Sequence, residues 1–105
     1  MAKLDLTPFL EETFDIQFDK EGKDIVKVKK PTKGLALQIS ALQVQEHKND
    51  MDYIEDLDKL TLLILNWNTD NKEQGKRVGN LPLDIKIKII AGYVEFMKGI
   101  ESNPN

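Results

Sequence analysis

The chain reads as an α+β domain, mainly helical, with one β-hairpin. Three observations predict this. Apolar residues alternate singly on both sides of the polar turn Asp19-Lys20-Glu21-Gly22-Lys23. Three longer stretches carry them at the three-and-four spacing of a helical stripe. The length of 105 residues suits a single domain, expected to span 1–105.

In order along the chain, Thr7-Pro8 predicts a short helix over 6–12, Thr7 serving as N-cap and proline occupying an early position where its missing N–H costs nothing. Phe14, Ile16 and Phe18 alternate with Asp15, Gln17 and Asp19; after the turn, where Gly22 is free to take positive φ, Ile25 to Lys29 alternates again through Val26 and Val28. This predicts a hairpin over 13–30, its apolar face laid against something else because two strands alone are marginal in water.

Lys30-Pro31 closes the second strand, and Thr32 is placed to cap the helical region expected over 32–101. Leu35, Ile39 and Leu42 form the stripe of its first helix. The break His47-Lys48-Asn49-Asp50 separates a second helix, capped by Asn49 or Asp50, with Asp52, Glu55 and Asp56 near its positive end. Tyr53, Leu57, Leu60, Ile64 and Trp67 share one stripe there, while Leu62, Leu63 and Leu65 make the last turns apolar nearly all round. Residues 69–80 have no apolar period and read as a polar, mobile loop. After Pro82 a third helix aligns Ile85, Ile89, Tyr93, Phe96 and Ile100 on one face, with Ile87, Ile90, Val94 and Met97 beside them. Ser102-Asn103-Pro104-Asn105 reads as a frayed tail.

Composition narrows function by exclusion. Fifteen basic against eighteen acidic residues, a net charge of −3, does not make the broad basic face of a nucleic-acid binder, and the run Lys23, Lys27, Lys29, Lys30, Lys33 reads as a solvated hairpin face. Zero cysteines and one histidine exclude thiolate zinc sites, paired-histidine sites and cysteine nucleophiles within one chain. No apolar stretch approaches the roughly 20 residues of a membrane span, and the N-terminus lacks a secretory core, which places the chain in the cytosol.

Residues 70–81 fail as a calcium loop, with Lys72 at the third position and Leu81 at the twelfth. Gly75-Lys76-Arg77 lacks the frame of a phosphate loop. His47 reads as a solvated helix-end residue. The carboxylates from Asp50 to Asp58 suggest, remotely, a small hydrolase, but acid-base chemistry needs burial to separate their pKa values. No cofactor, metal or catalytic residue is expected from these patterns.

Asp5-Leu6-Thr7-Pro8-Phe9-Leu10, Lys27-Val28-Lys29-Lys30-Pro31-Thr32-Lys33, Leu63-Ile64-Leu65-Asn66-Trp67-Asn68, Leu81-Pro82-Leu83-Asp84 and Tyr93-Val94-Glu95-Phe96, in this element order, resemble tail assembly chaperones of long-tailed phages and prophages of Gram-positive bacteria. The resemblance covers most of the chain. It implies a non-catalytic, cofactor-free helper in the host cytoplasm, absent from the mature virion, that binds the tape-measure protein and helps recruit the tail-tube protein. It further implies a longer frameshifted version, of which this chain matches the short form. A structural minor tail or head-tail connector protein is the alternative. A client-coating role needs apolar surface beyond the monomer's core, and the candidates are Phe9, Leu10, Leu62, Leu63, Ile87 and Met97. Each has a competing use in the core or in a homo-oligomer interface.

Overall fold

The structure, a computed structural model, describes residues 2–102, with side chains through Gly99. The order is α1 (Thr7–Leu10), β1 (Thr13–Gln17), β2 (Ile25–Lys29), α2 (Lys33–Gln43), α3 (Asp50–Asn66), α4 (Gly75–Asn80) and α5 (Leu83–Ser102). The fold is α+β and mainly helical, as the periodicities predict. The expected Ile100 side chain on the α5 stripe and the tail from Asn103 lie outside the described residues.

The two strands pair antiparallel, with Phe14 opposite Val28 and Ile16 opposite Val26. Gly22 takes φ +75° in the turn, the left-handed geometry a side chain resists. The Asp19 carboxylate accepts from Lys23 N–H (3.1 Å) and Asp24 N–H (3.0 Å), which closes the turn. Register therefore points the apolar residues of both strands at the helices: Val26 and Val28 are buried, and Phe14, Ile16 and Phe18 pack at the core's margin.

Local chemistry starts the helices largely where the sequence places them. Thr32 accepts from Leu35 N–H at 3.2 Å to begin α2, and Asn49 accepts from Asp52 N–H at 3.0 Å to begin α3. At α1 the expectation needs correction: the helix is shorter than 6–12, Leu6 stands at the cap without a side-chain bond, and Thr7 is already helical. The Asp5 carboxylate takes the capping task instead, accepting from Thr7 N–H at 3.0 Å and Thr7 Oγ1 at 2.7 Å, and these bonds hold its pKa below the ordinary aspartate range.

The polar loop over 69–80 also departs from expectation, because α4 lies inside it and is tied down. Val78 is buried. Arg77 donates two bonds to Asp24, at 2.9 and 3.0 Å, and one to Gln74, while its guanidinium lies 4.3 Å from the Phe18 ring centroid. Buried Asn68 donates to Leu65 and Lys72 carbonyls and accepts from Lys72 N–H. The Arg77–Asp24 fork spans 53 residues, and the remaining bonds are between polar groups, so no apolar period announces the segment.

The core joins Val26 and Val28 to Leu35 and Ile39 of α2, to Leu57, Leu60, Ile64 and Leu65 of α3, to Val78, and to Ile89, Ile90 and Tyr93 of α5. Phe14 meets Tyr93 edge-on at 5.7 Å and Phe96 at 5.8 Å. The Tyr93 hydroxyl donates to the Lys29 carbonyl at 2.7 Å, which stitches α5 to the end of β2.

Candidate functional site

The α2–α3 pair leaves an apolar groove open to one side. Both helices bury one stripe, but α3 is apolar around most of its last turns, so residues on its flank remain beside the joint after the core has closed. The groove encloses about 900 Å³; Leu35, Leu42, Leu62, Leu63 and Trp67 make its apolar lining, and Thr32, Gln38, Lys59 and Asn66 bring polar groups to it. Lys59 is the sole charged side chain there, and it has no ion pair among the described residues.

The Trp67 end is built with care. The indole N–H donates to the Lys30 carbonyl at 2.8 Å, and Lys29 Nζ sits 4.0 Å from the ring centroid. Lys30 in turn pairs with Glu12 at 3.1 Å and lies over Phe9, 5.8 Å from its centroid. Thus the short α1 segment stands on the side of the molecule where the groove ends, and much of the basic run is engaged by ring or carboxylate contacts.

The six residues singled out from the sequence divide in place. Leu62 and Leu63 are half-buried and line the groove. Phe9 is 42% exposed and Leu10 77% exposed, on a helix with no buried residue. Ile87 is 43% exposed on α5 and Met97 is half-buried against the core; neither lines the groove. Leu35 and Leu42 form the facing wall, a role that a stripe assigned to the core does not reveal.

The carboxylate cluster is sparser than it reads. Asp58 pairs with buried Lys86 at 2.5 Å. Asp56 is buried although it stands among polar neighbours in sequence, and His47 Nε2 lies 2.8 Å from its Oδ2. The approach is within ion-pair reach, and Oδ2 accepts no hydrogen bond among the described residues. His47 also meets Tyr53 edge-on at 5.3 Å, and Tyr53 is mostly outside the core rather than on its stripe. The cleft they share is about 170 Å³, smaller than the roughly 300–1,000 Å³ of ordinary small-molecule sites. Among the described residues no group of three or more His, Cys, Asp or Glu could hold a metal ion, and no helix is long and apolar enough to cross a membrane.

A folded monomer of 12.0 kDa is expected to expose about 6,000 Å², whereas this chain exposes 7715 Å². The seven residues whose side chains lie outside the description, even fully extended at roughly 160 Å² each, do not make up the difference. The Cα radius of gyration, 15.2 Å, likewise exceeds the roughly 13 Å of a compact chain of this length. The chain is thus more extended than an average globule of its size, and Leu10, Leu37, Val44, Met51 and Ile54 are among its exposed large apolar residues.

No family model, no curated protein and no solved structure matches the chain.

Proposed function

We propose that this protein is a non-catalytic phage tail assembly chaperone, which holds a helical stretch of the tape-measure protein against the α2–α3 groove and aids recruitment of tail-tube subunits. The supporting observation is the groove itself: half-buried Leu62 and Leu63, with Trp67 at one end, face solvent across a trough of about 900 Å³. An amphipathic helix laid in such a trough covers apolar side chains at three-and-four spacing and needs no backbone hydrogen bonds from its host. α2, at 11 residues, is roughly 16 Å long, a match for about three turns of client. Lys59 on the rim favours a client helix with an acidic residue bordering its apolar stripe. The likeness of the phrases around Thr7-Pro8, Asn66-Trp67 and Pro82 to tail assembly chaperones names the client class; the groove supplies the physical means.

Co-expression with the full-length tape-measure protein tests the reading. The two should co-purify at micromolar concentration in low salt, and mass spectrometry of finished particles should lack this chain. Failure to co-purify contradicts the proposal; presence in particles at fixed copy number supports the alternative of a structural tail or connector protein.

A further inference from the structure

The two-stranded sheet has one covered edge and one open edge. On the covered side, Lys29 N–H donates to the Trp67 carbonyl and Thr69 N–H donates to the Lys27 carbonyl, both at 2.9 Å, and Asn68 bridges Val28. Those bonds set the parity of the ladder. Lys27 and Lys29 turn their backbone groups outward, so Val26 and Val28 spend theirs on Ile16 and Phe14, and Phe18 N–H donates to Asp24 at 2.8 Å in the same phase. By alternation Thr13, Asp15 and Gln17 present their N–H and C=O groups on the far side of β1. Among the described residues no backbone hydrogen bond engages them.

A second groove, of about 540 Å³, runs along this edge. Its lining takes in five consecutive residues, Phe14 to Phe18, from both faces of the pleat. A cavity over one face would touch alternate residues only, so this one follows the edge. Its far wall is apolar: Leu81, Ile85 and Ile89, with Lys88 among them. Lys88 has no ion pair among the described residues.

We infer that the open edge of β1 is a strand-addition site for an extended segment of a partner protein, apolar at alternate positions and carrying a carboxylate opposite Lys88. Only an extended backbone offers donors and acceptors at the two-residue repeat of Thr13, Asp15 and Gln17. One face of that strand drops its side chains onto Ile85 and Ile89. The edge has none of the usual deterrents beyond Asp15: it has no lysine, no proline and no bulge. A second copy of this chain fits less well. Five residues edge to edge bury far less than the roughly 1,200 Å² of a stable interface, and symmetric pairing centred on Asp15 would oppose two carboxylates. This site is separate from the α2–α3 groove and stands or falls independently of it.

The probe is an acetylated, amidated heptapeptide of alternating valine and threonine with a glutamate at one end, titrated into the ¹⁵N-labelled chain to millimolar concentration. Shifts at Asp15, Gln17 and Ile85 to Lys88, with slowed exchange of the Asp15 and Gln17 amides, are expected. Asp15→Pro deletes one outward N–H and leaves the inner ladder whole; it should keep the dispersed spectrum and weaken binding by about tenfold or more. If it fails to fold, Gln17→Pro serves the same purpose. Lys88→Glu should weaken this peptide and favour one with lysine in place of glutamate. The inference is overturned by any of four results: no shifts, shifts confined to α2 and α3, undiminished binding by the proline variant, or peptide-free dimerisation through β1.

Discussion

Gly92 lies where α5 crosses the hairpin, and a Cβ built there would stand 2.8 Å from Phe14 Cζ. Phe14 has little room to retreat, because Tyr93 and Phe96 hold its ring from two sides. Inside a helix, alanine normally stabilises by about 1 kcal/mol over glycine, but overpacking here should reverse the sign and cost about 1–3 kcal/mol. Gly99, on the same helix with open space around it, supplies the control. Thermal melts should show Gly92→Ala lowering Tm by several degrees and Gly99→Ala raising it slightly; equal shifts would contradict the packing. The same scale explains why Lys86 is buried while Ile87 is exposed. The run Ile85-Lys86-Ile87-Lys88-Ile89 alternates like a strand, but the helix turns Lys86 inward to Asp58 and leaves an isoleucine in solvent.

At the scale of elements, the hairpin is held against α4 by the fork between Arg77 and Asp24. The Arg77 guanidinium holds the Asp24 carboxyl below the ordinary aspartate range. A depressed folded-state pKa contributes stability above the unfolded value, near 3.9 for aspartate, and loses it as pH falls through the depressed value. Arg77→Gln should therefore be less stable than the parent at neutral pH, and the gap should narrow as the solution is acidified through the range below pH ~4. Part of the gap persists because Arg77 also covers Phe18. Denaturant midpoints across that range check this, and a gap independent of pH would show that the carboxylate contributes nothing.

These elements also show what the sequence discloses. The strand alternation around Gly22, the caps Thr32 and Asn49, and the stripes of α2, α3 and α5 are local patterns, each carried by residues a few positions apart. α4 is not, since its single buried apolar residue is Val78 and its anchor, Asp24, lies 53 residues away. Asp5 capping α1 and Asp56 facing His47 were likewise hidden, because spacing alone does not say which polar group another will meet. Leu62 and Leu63 were legible as surplus apolar residues on α3. Their facing wall, Leu35 and Leu42, follows only from how α2 is docked.

For the whole molecule, the exposed Leu10, Leu37, Val44 and Met51 and the lining of the α2–α3 groove point the same way: apolar side chains remain at the surface after folding. The open β1 edge adds a second, chemically different place of contact. A helix in one groove and a strand along one edge would let a small protein engage two partner segments at once, which is the demand on a scaffold that coats one chain while receiving another. The proposed role seats a helix of another protein in the α2–α3 groove. Titrating a helical fragment of the tape-measure protein into the ¹⁵N-labelled chain tests it most directly. Amide shifts should concentrate on Leu35 to Leu42 and Lys59 to Trp67, and Leu63→Gln, folded by circular dichroism, should weaken binding by about tenfold or more. Shifts that bypass this face, or a folded Leu63→Gln that binds as well as the parent, would contradict it.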